Sequence, residues 1–184
     1  MTGSLVGLLE AAGLTGRGGA GFSTALEARA AATEGASLIV NACDGEYGAV
    51  KDTYVVDHHL SELVRGTELL SGNGIRYAAR RGSRAEARLR SAGVDVLSVP
   101  HRYVSSEESA LVSLANGGLA RPMTKRAPVV FGSVSPDGRR LPPIVVLNAE
   151  TVWRVAQIAD RGVEWFRAFR HPRGTRSAAG FRVW

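Results

Sequence analysis

Ser37-Leu38-Ile39-Val40-Asn41 is a short apolar run with two β-branched residues, followed by the polar, glycine-bearing turn Cys43 to Lys51. An apolar run of this length bounded by turn residues is the pattern of a buried strand. Upstream, the Ala-rich stretch Thr24 to Thr33 predicts a helix, because alanine has the highest helix propensity. Ser4 to Gly13 predicts a short amphipathic helix closed by its glycine. Downstream, Val55, Val56, Leu60, Leu63, Val64, Leu69 and Leu70 recur at near-helical spacing over residues 55–71. Ile75 to Ala79 reads as a strand, Ser83 to Ala92 as a basic, exposed helix, and Val94 to Val99 as another strand. Glu107 to Ala115 predicts a helix, with Ser105 three residues before Glu108 in a capping-box pattern. Pro128 to Phe131 and Pro142 to Leu147 predict two strands, and Ser133 to Arg140 between them carries the turn signal Pro136-Asp137-Gly138. Ala149 to Ala159 and Val163 to Arg170 read as helices, and the basic segment after them as loose. Strands that alternate with helices predict an α/β fold: a Rossmann-like, open, largely parallel sheet flanked by helices, in a single domain.

The 184 residues suit one domain with a core that needs no staples. Hydrophobic residues at 45% and charged residues at 22% are those of an ordinary globular chain. No apolar run is long enough to span a bilayer, and the start lacks the basic region of a signal peptide, so the expected location is cytoplasmic. The single cysteine, Cys43, excludes an internal disulfide and an iron–sulfur cluster held by this chain alone. The net charge of +6 favours an anionic partner. The arginines are scattered and no nucleic-acid reading motif is present, so a nucleotide or an acidic protein ranks above nucleic acid.

Gly16-Arg17-Gly18-Gly19-Ala20-Gly21 satisfies G-x-G-x-x-G, yet the segment before it has helical composition. The dinucleotide fingerprint follows a strand directly, so this loop is not an ordinary Rossmann fingerprint. Its glycines still let backbone amides approach a ligand closely and form an anion-binding nest, to which Arg17 adds positive charge. His58-His59 does not read as a metal site, because adjacent helical residues do not share a face.

Four segments in order resemble the FMN- and NADH-binding flavoprotein subunit of respiratory NADH dehydrogenase (complex I). They are the glycine loop through Phe22-Ser23-Thr24; Asn41-Ala42-Cys43-Asp44-Gly45-Glu46-Tyr47-Gly48-Ala49-Val50-Lys51-Asp52; Tyr103-Val104-Ser105-Ser106-Glu107-Glu108-Ser109-Ala110-Leu111; and Asn148-Ala149-Glu150-Thr151. The resemblance implies a cavity lined by Gly16, Arg17, Gly18, Gly19 and Gly21, with Phe22 stacked on the nucleotide. It implies that Asn41 and Asp44 hold ribityl or ribose hydroxyls and that Glu46 is the catalytic acid beside flavin and nicotinamide. Tyr103, Glu107 and Glu108 would form a second wall, Asn148 and Thr151 would serve the FMN phosphate, and Lys125 matches a family lysine. No metal ligand is implied. The implied chemistry is hydride transfer from NADH to FMN, then electron transfer to an iron–sulfur, ferredoxin-like partner, with the cofactor carrying the hard step.

The family continues into a ubiquitin-like β-domain and a four-cysteine helical domain, and neither pattern occurs in this sequence. Glu27 stands where the family has a lysine, Ser106 replaces the glycine before the acid pair, and Leu147 replaces the first of two asparagines. These departures keep a second reading open: a partner-binding or assembly module that retained the fold and lost the cofactor.

Overall fold

The computed structural model describes residues 2–16, 23–25, 27–29, 35–45, 48–70, 73–122, 133–134, 140–141 and 143–170. In chain order the helices are α1 (Thr2–Ala12), α2 (Lys51–His58), α3 (Leu60–Leu70), α4 (Arg84–Ser91), α5 (Glu108–Ala115), α6 (Ala149–Arg161) and α7 (Val163–Arg170). The strands are β1 (Ser37–Asn41), β2 (Asn73–Arg80), β3 (Val96–Val99), β4 (Ser133–Val134), β5 (Arg140–Leu141) and β6 (Ile144–Asn148).

Four strands form one sheet in the order β3-β2-β1-β6, with every pairing parallel. The predicted strand Ser37–Asn41 is β1, one of its two interior strands, buried at Leu38, Ile39 and Val40. Side chains alternate across a strand. Leu38 and Val40 enter the larger core with residues of α1, α2, α3, α4 and α6, whereas Ile39 joins Leu111 and Val112 of α5 on the other face. A parallel sheet covered on both faces follows, as the α/β expectation requires.

Helix α6 carries the larger core. Its residues from Ala149 to Ile158 are buried, and it crosses α3 at Gly66, where an added Cβ would lie 2.2 Å from the Val152 carbonyl oxygen. Buried Arg154 is satisfied by Gln157 at 2.8 Å and lies over the Trp153 ring at 4.1 Å. Helix α1 ends as expected at Gly13, whose φ of 61° sits in the left-handed region. The Gly13 and Leu14 amides donate to the Glu10 and Leu9 carbonyls, a Schellman closure.

Several boundaries differ from the sequence expectation, among them β2, which opens at Asn73, and β3, which opens at Val96. The periodic stretch 55–71 is two helices, not one: α2 starts at Lys51, and the chain breaks at His59, whose φ is −131°. The His59 ring is held at the break by Glu62 at 2.9 Å and by stacking on Trp153 at 4.3 Å. Ser105 is not the cap of α5. It lies in a 3₁₀ turn, Tyr103–Ser106, and donates to the Ala120 carbonyl, while Glu107 caps the helix. The strand expected from Pro142 begins at Ile144. The expected strand at 128–131 and the turn Pro136-Asp137-Gly138 lie outside the described residues, but β4 and β5 flank that turn as an antiparallel pair.

Candidate functional site

The strand order reverses at β1: the chain runs outward through β2 and β3, then returns to place β6 on the other side of β1. Open α/β sheets bind ligands beyond the carboxyl ends of the strands at such a reversal. The last register pair of β1 and β6 is Asn41 with Asn148, so two sequence-nominated residues meet there.

Asn148 is fully engaged at this point. Its Oδ1 accepts from the Glu150 amide at 3.1 Å, capping α6, and from Lys51 Nζ at 2.7 Å. Its Nδ2 donates to Asp52 Oδ2 at 3.1 Å and to the Asn41 carbonyl at 3.4 Å. An amide has two donors and two acceptor lone pairs, and all four are used. Lys51 also donates to Asp52 Oδ1 at 2.8 Å, which leaves one of three ammonium protons without a partner among the described residues. Asp52 is 2% exposed. Burial raises its pKa above the ordinary carboxylate range, and the Lys51 charge opposes the rise.

Three more nominated residues also build the loops around the crevice. Asn41 donates to the Ser106 carbonyl at 2.9 Å and accepts from the Cys43 amide at 3.2 Å, bending the chain out of β1. Asp44, with φ 47°, accepts from the Asp52 and Thr53 amides at 2.8 and 3.0 Å, so its carboxylate caps α2. Glu107 accepts from the Ser109 and Ala110 amides at 3.0 and 3.2 Å and from the Ser109 hydroxyl. Glu108 lies in the first turn of α5, Thr151 is buried in the first turn of α6, and Tyr103 stands 75% exposed. Gly16 follows Thr15, which bridges to Ser23 and so joins the ends of the glycine loop. Arg17, Gly18, Gly19, Gly21, Phe22, Glu46 and Lys125 lie outside the described residues.

The departures from the family pattern occupy distinct environments. Leu147 is buried in the larger core. Ser106 lies against Gly45 so closely that a Cβ there would meet the Ser106 hydroxyl at 2.5 Å. Glu27 Oε2 is buried with no hydrogen-bond partner. Burial, and then the Glu108 charge, push the Glu27 carboxyl up to about 7. Cys43 is a packed turn residue whose thiol is pushed up to about 12 by burial, with the Arg80 charge opposing.

Sequence reasoning did not nominate Lys51, Asp52 or Arg80. Lys51 carried a signal, since only two lysines occur in the chain and it falls inside the Asn41–Asp52 motif. Arg80 carried none; it ties three segments by donating to the Cys43 carbonyl at 3.2 Å, the Arg102 carbonyl at 2.7 Å and the Ser106 hydroxyl at 3.5 Å.

Comparison with known proteins accounts for this layout. Residues 9–157 match the Nuo51 FMN-binding domain. A subunit of the NADH-quinone oxidoreductase of Escherichia coli (strain K12) is 31% identical over 194 residues, covering 89% of this chain and 42% of that protein. Its namesake in Buchnera aphidicola subsp. Schizaphis graminum is 30% identical, again over 89% of this chain and 42% of the relative. The alpha subunit of the NAD-reducing hydrogenase HoxS of Cupriavidus necator is 30% identical over 92% of this chain and 32% of its own length. A chain of the NAD+-reducing NiFe-hydrogenase in its H2-reduced state superposes with a TM-score of 0.73 at 28% identity, covering 90% of this chain and 32% of that chain. The chain thus spans less than half the length of these relatives. With the reversed parallel sheet and its Asn41–Asn148 junction now in place, the match over residues 9–157 shows that the chain belongs to the family of the complex I 51 kDa FMN-binding domain.

Proposed function

We propose that this chain binds FMN in the crevice between the ends of β1 and β6, accepts hydride from NADH there, and passes electrons to a separate iron–sulfur protein. The observation that carries the reading is Lys51, a cation fixed by Asn148 and Asp52 at the strand-order reversal with one N–H unpartnered among the described residues. It lies beside the start of α6, and a helix N-terminus together with a cation suits a phosphate. The donor set therefore fits the phosphate end of a flavin nucleotide.

Each residue has a part in this reading. Lys51 binds the phosphate. Asn41, Asp44 and Asn148 fix the loops and helix starts that surround it, so they position the site. Glu46 keeps the catalytic role that the family resemblance implies for it. Glu27, facing the Glu108 charge, is tolerated near an anion in its protonated form. When bound, FMN supplies two-electron acceptance and one-electron release. The iron–sulfur partner is proposed on the same basis, and no helix among the described residues is long and apolar enough to cross a membrane.

Glu27, and the internal satisfaction of Asn41 and Asn148, favour a second reading, a partner-binding module that has lost the flavin. The visible spectrum of the purified chain after incubation with FMN and desalting separates the two. A retained flavin band, weakened in the charge-neutral double variant Lys51→Met/Asp52→Asn, supports the flavoprotein. A folded protein that retains no flavin supports the module.

A further inference from the structure

Much of the positive charge of the chain is gathered on one helix. Residues 81–90 hold Arg81, Arg84, Arg88 and Arg90 against Glu86 alone, so four positive charges less one negative place half of the chain's +6 in ten residues. The arginines are therefore less scattered than their spread along the sequence suggests.

The fold turns these arginines out and their acids in. Helix α4 buries Ala85, Glu86 and Leu89, while all four arginines are exposed. Arg84 pairs with Asp57 of α2 at 3.0 Å, with side chains 77% and 11% exposed. Arg90 pairs with Glu86 at 3.0 Å, with side chains 57% and 10% exposed. Arg81 donates to the Ser98 hydroxyl, a neutral partner, at 3.4 Å. Arg88 makes no side-chain bond among the described residues.

Helix stability does not account for the pattern. Arg88 and Arg90 lie in the last turn and suit the helix dipole, but Arg84 opens the helix and opposes it. Arg84 and Arg88, four residues apart, also repel each other. A face that keeps such charges turned to solvent is matched to an anionic surface. The other side of α4 packs on α2, β2 and β3. A helix held flat in this way does not enter a major groove. Residues 81–90 hold no aromatic ring for stacking on bases. Guanidinium forks do pair bidentately with carboxylates.

We propose that the outward face of α4 is a docking surface for an acidic protein, whose carboxylates pair with Arg81, Arg84, Arg88 and Arg90. The proposal goes beyond the flavoprotein reading and stands whether or not flavin binds.

Calorimetric titration of the full chain with poly-L-glutamate, and with a DNA duplex of equal total charge, tests it. Poly-L-glutamate is expected to bind, with an affinity that falls as salt is raised. Arg81→Gln/Arg88→Gln is expected to weaken it at least about fivefold with an unchanged thermal melt, because neither arginine has a carboxylate partner among the described residues. Arg65→Gln/Arg167→Gln removes the same charge from α3 and α7 and is expected to change the affinity less than about twofold. Equal weakening by the two pairs, binding indifferent to the α4 pair, or a folded protein that does not bind poly-L-glutamate would each overturn the proposal. A duplex bound more tightly than poly-L-glutamate through the same arginines would overturn it in favour of nucleic acid.

Discussion

Replacing Glu27 by glutamine is expected to flatten the pH dependence of folding stability between about pH 4.5 and about pH 7. Glu27 has an ordinary value of 4.5 in the unfolded chain and about 7 in the folded one, raised first by burial and then by Glu108. In that window the folded state holds a proton that the unfolded state has released. Stability therefore falls as pH rises through the window and levels off above the folded value. The rise from 4.5 to about 7 sets a ceiling of about 3 kcal/mol. Glu27 is only half-buried, and solvent screening leaves about 1–2 kcal/mol. For a chain of this size that is a melting-temperature fall of roughly 2–8 °C across the window. Thermal melts followed by circular dichroism at several pH values, wild type against Glu27→Gln, read it directly. Groups that do not face Glu27 contribute equally to both curves, so their difference isolates Glu27 and its coupling to Glu108. Parallel curves for the two proteins would refute the reasoning.

Three further substitutions test the framework of the site. Asp44→Ala removes the carboxylate that caps α2 and should cost about 1–2 kcal/mol in urea unfolding, with Asp44→Asn keeping much of the loss back. Gly66→Ala drives a Cβ into the Val152 carbonyl, where α3 meets α6, and should cost at least about 1–3 kcal/mol by the same assay. Lys51→Met strands the buried Asp52 carboxylate and should cost about 3–5 kcal/mol, most of it recovered in Lys51→Met/Asp52→Asn; a double variant no more stable than the single would contradict the pairing.

The elements readable in the sequence are those whose signals are local. Ser37–Asn41 has the bounds the apolar run gives it, and Gly13 closes α1 because only a left-handed residue makes that closure. Ser83 caps α4 through the Glu86 amide, while Glu86 reaches back to the Gly82 amide, a short-range exchange that its neighbours spell out. What the sequence hides is non-local. The start of α2 is polar, and its cap comes from Asp44, eight residues before Asp52. Glu107 caps α5 with a side-chain type that cap preferences do not favour, so those preferences point to Ser105 instead.

The same holds for the site. Motif resemblance finds Asn41, Asp44, Glu107 and Asn148, but their bonds depend on a register that pairs residues far apart in the chain. Asn148 reaches the Asn41 carbonyl only because β6 returns beside β1. The roles of Lys51 and Arg80 appear only once those strand ends and loops are assembled.

The most direct test of the central claim is the anaerobic addition of NADH to the FMN-reconstituted chain, with the flavin absorbance followed over time. Bleaching of the band by NADH, and its return on adding an iron–sulfur acceptor, is the predicted result. A bound flavin that NADH leaves oxidised while dithionite reduces it would contradict the account.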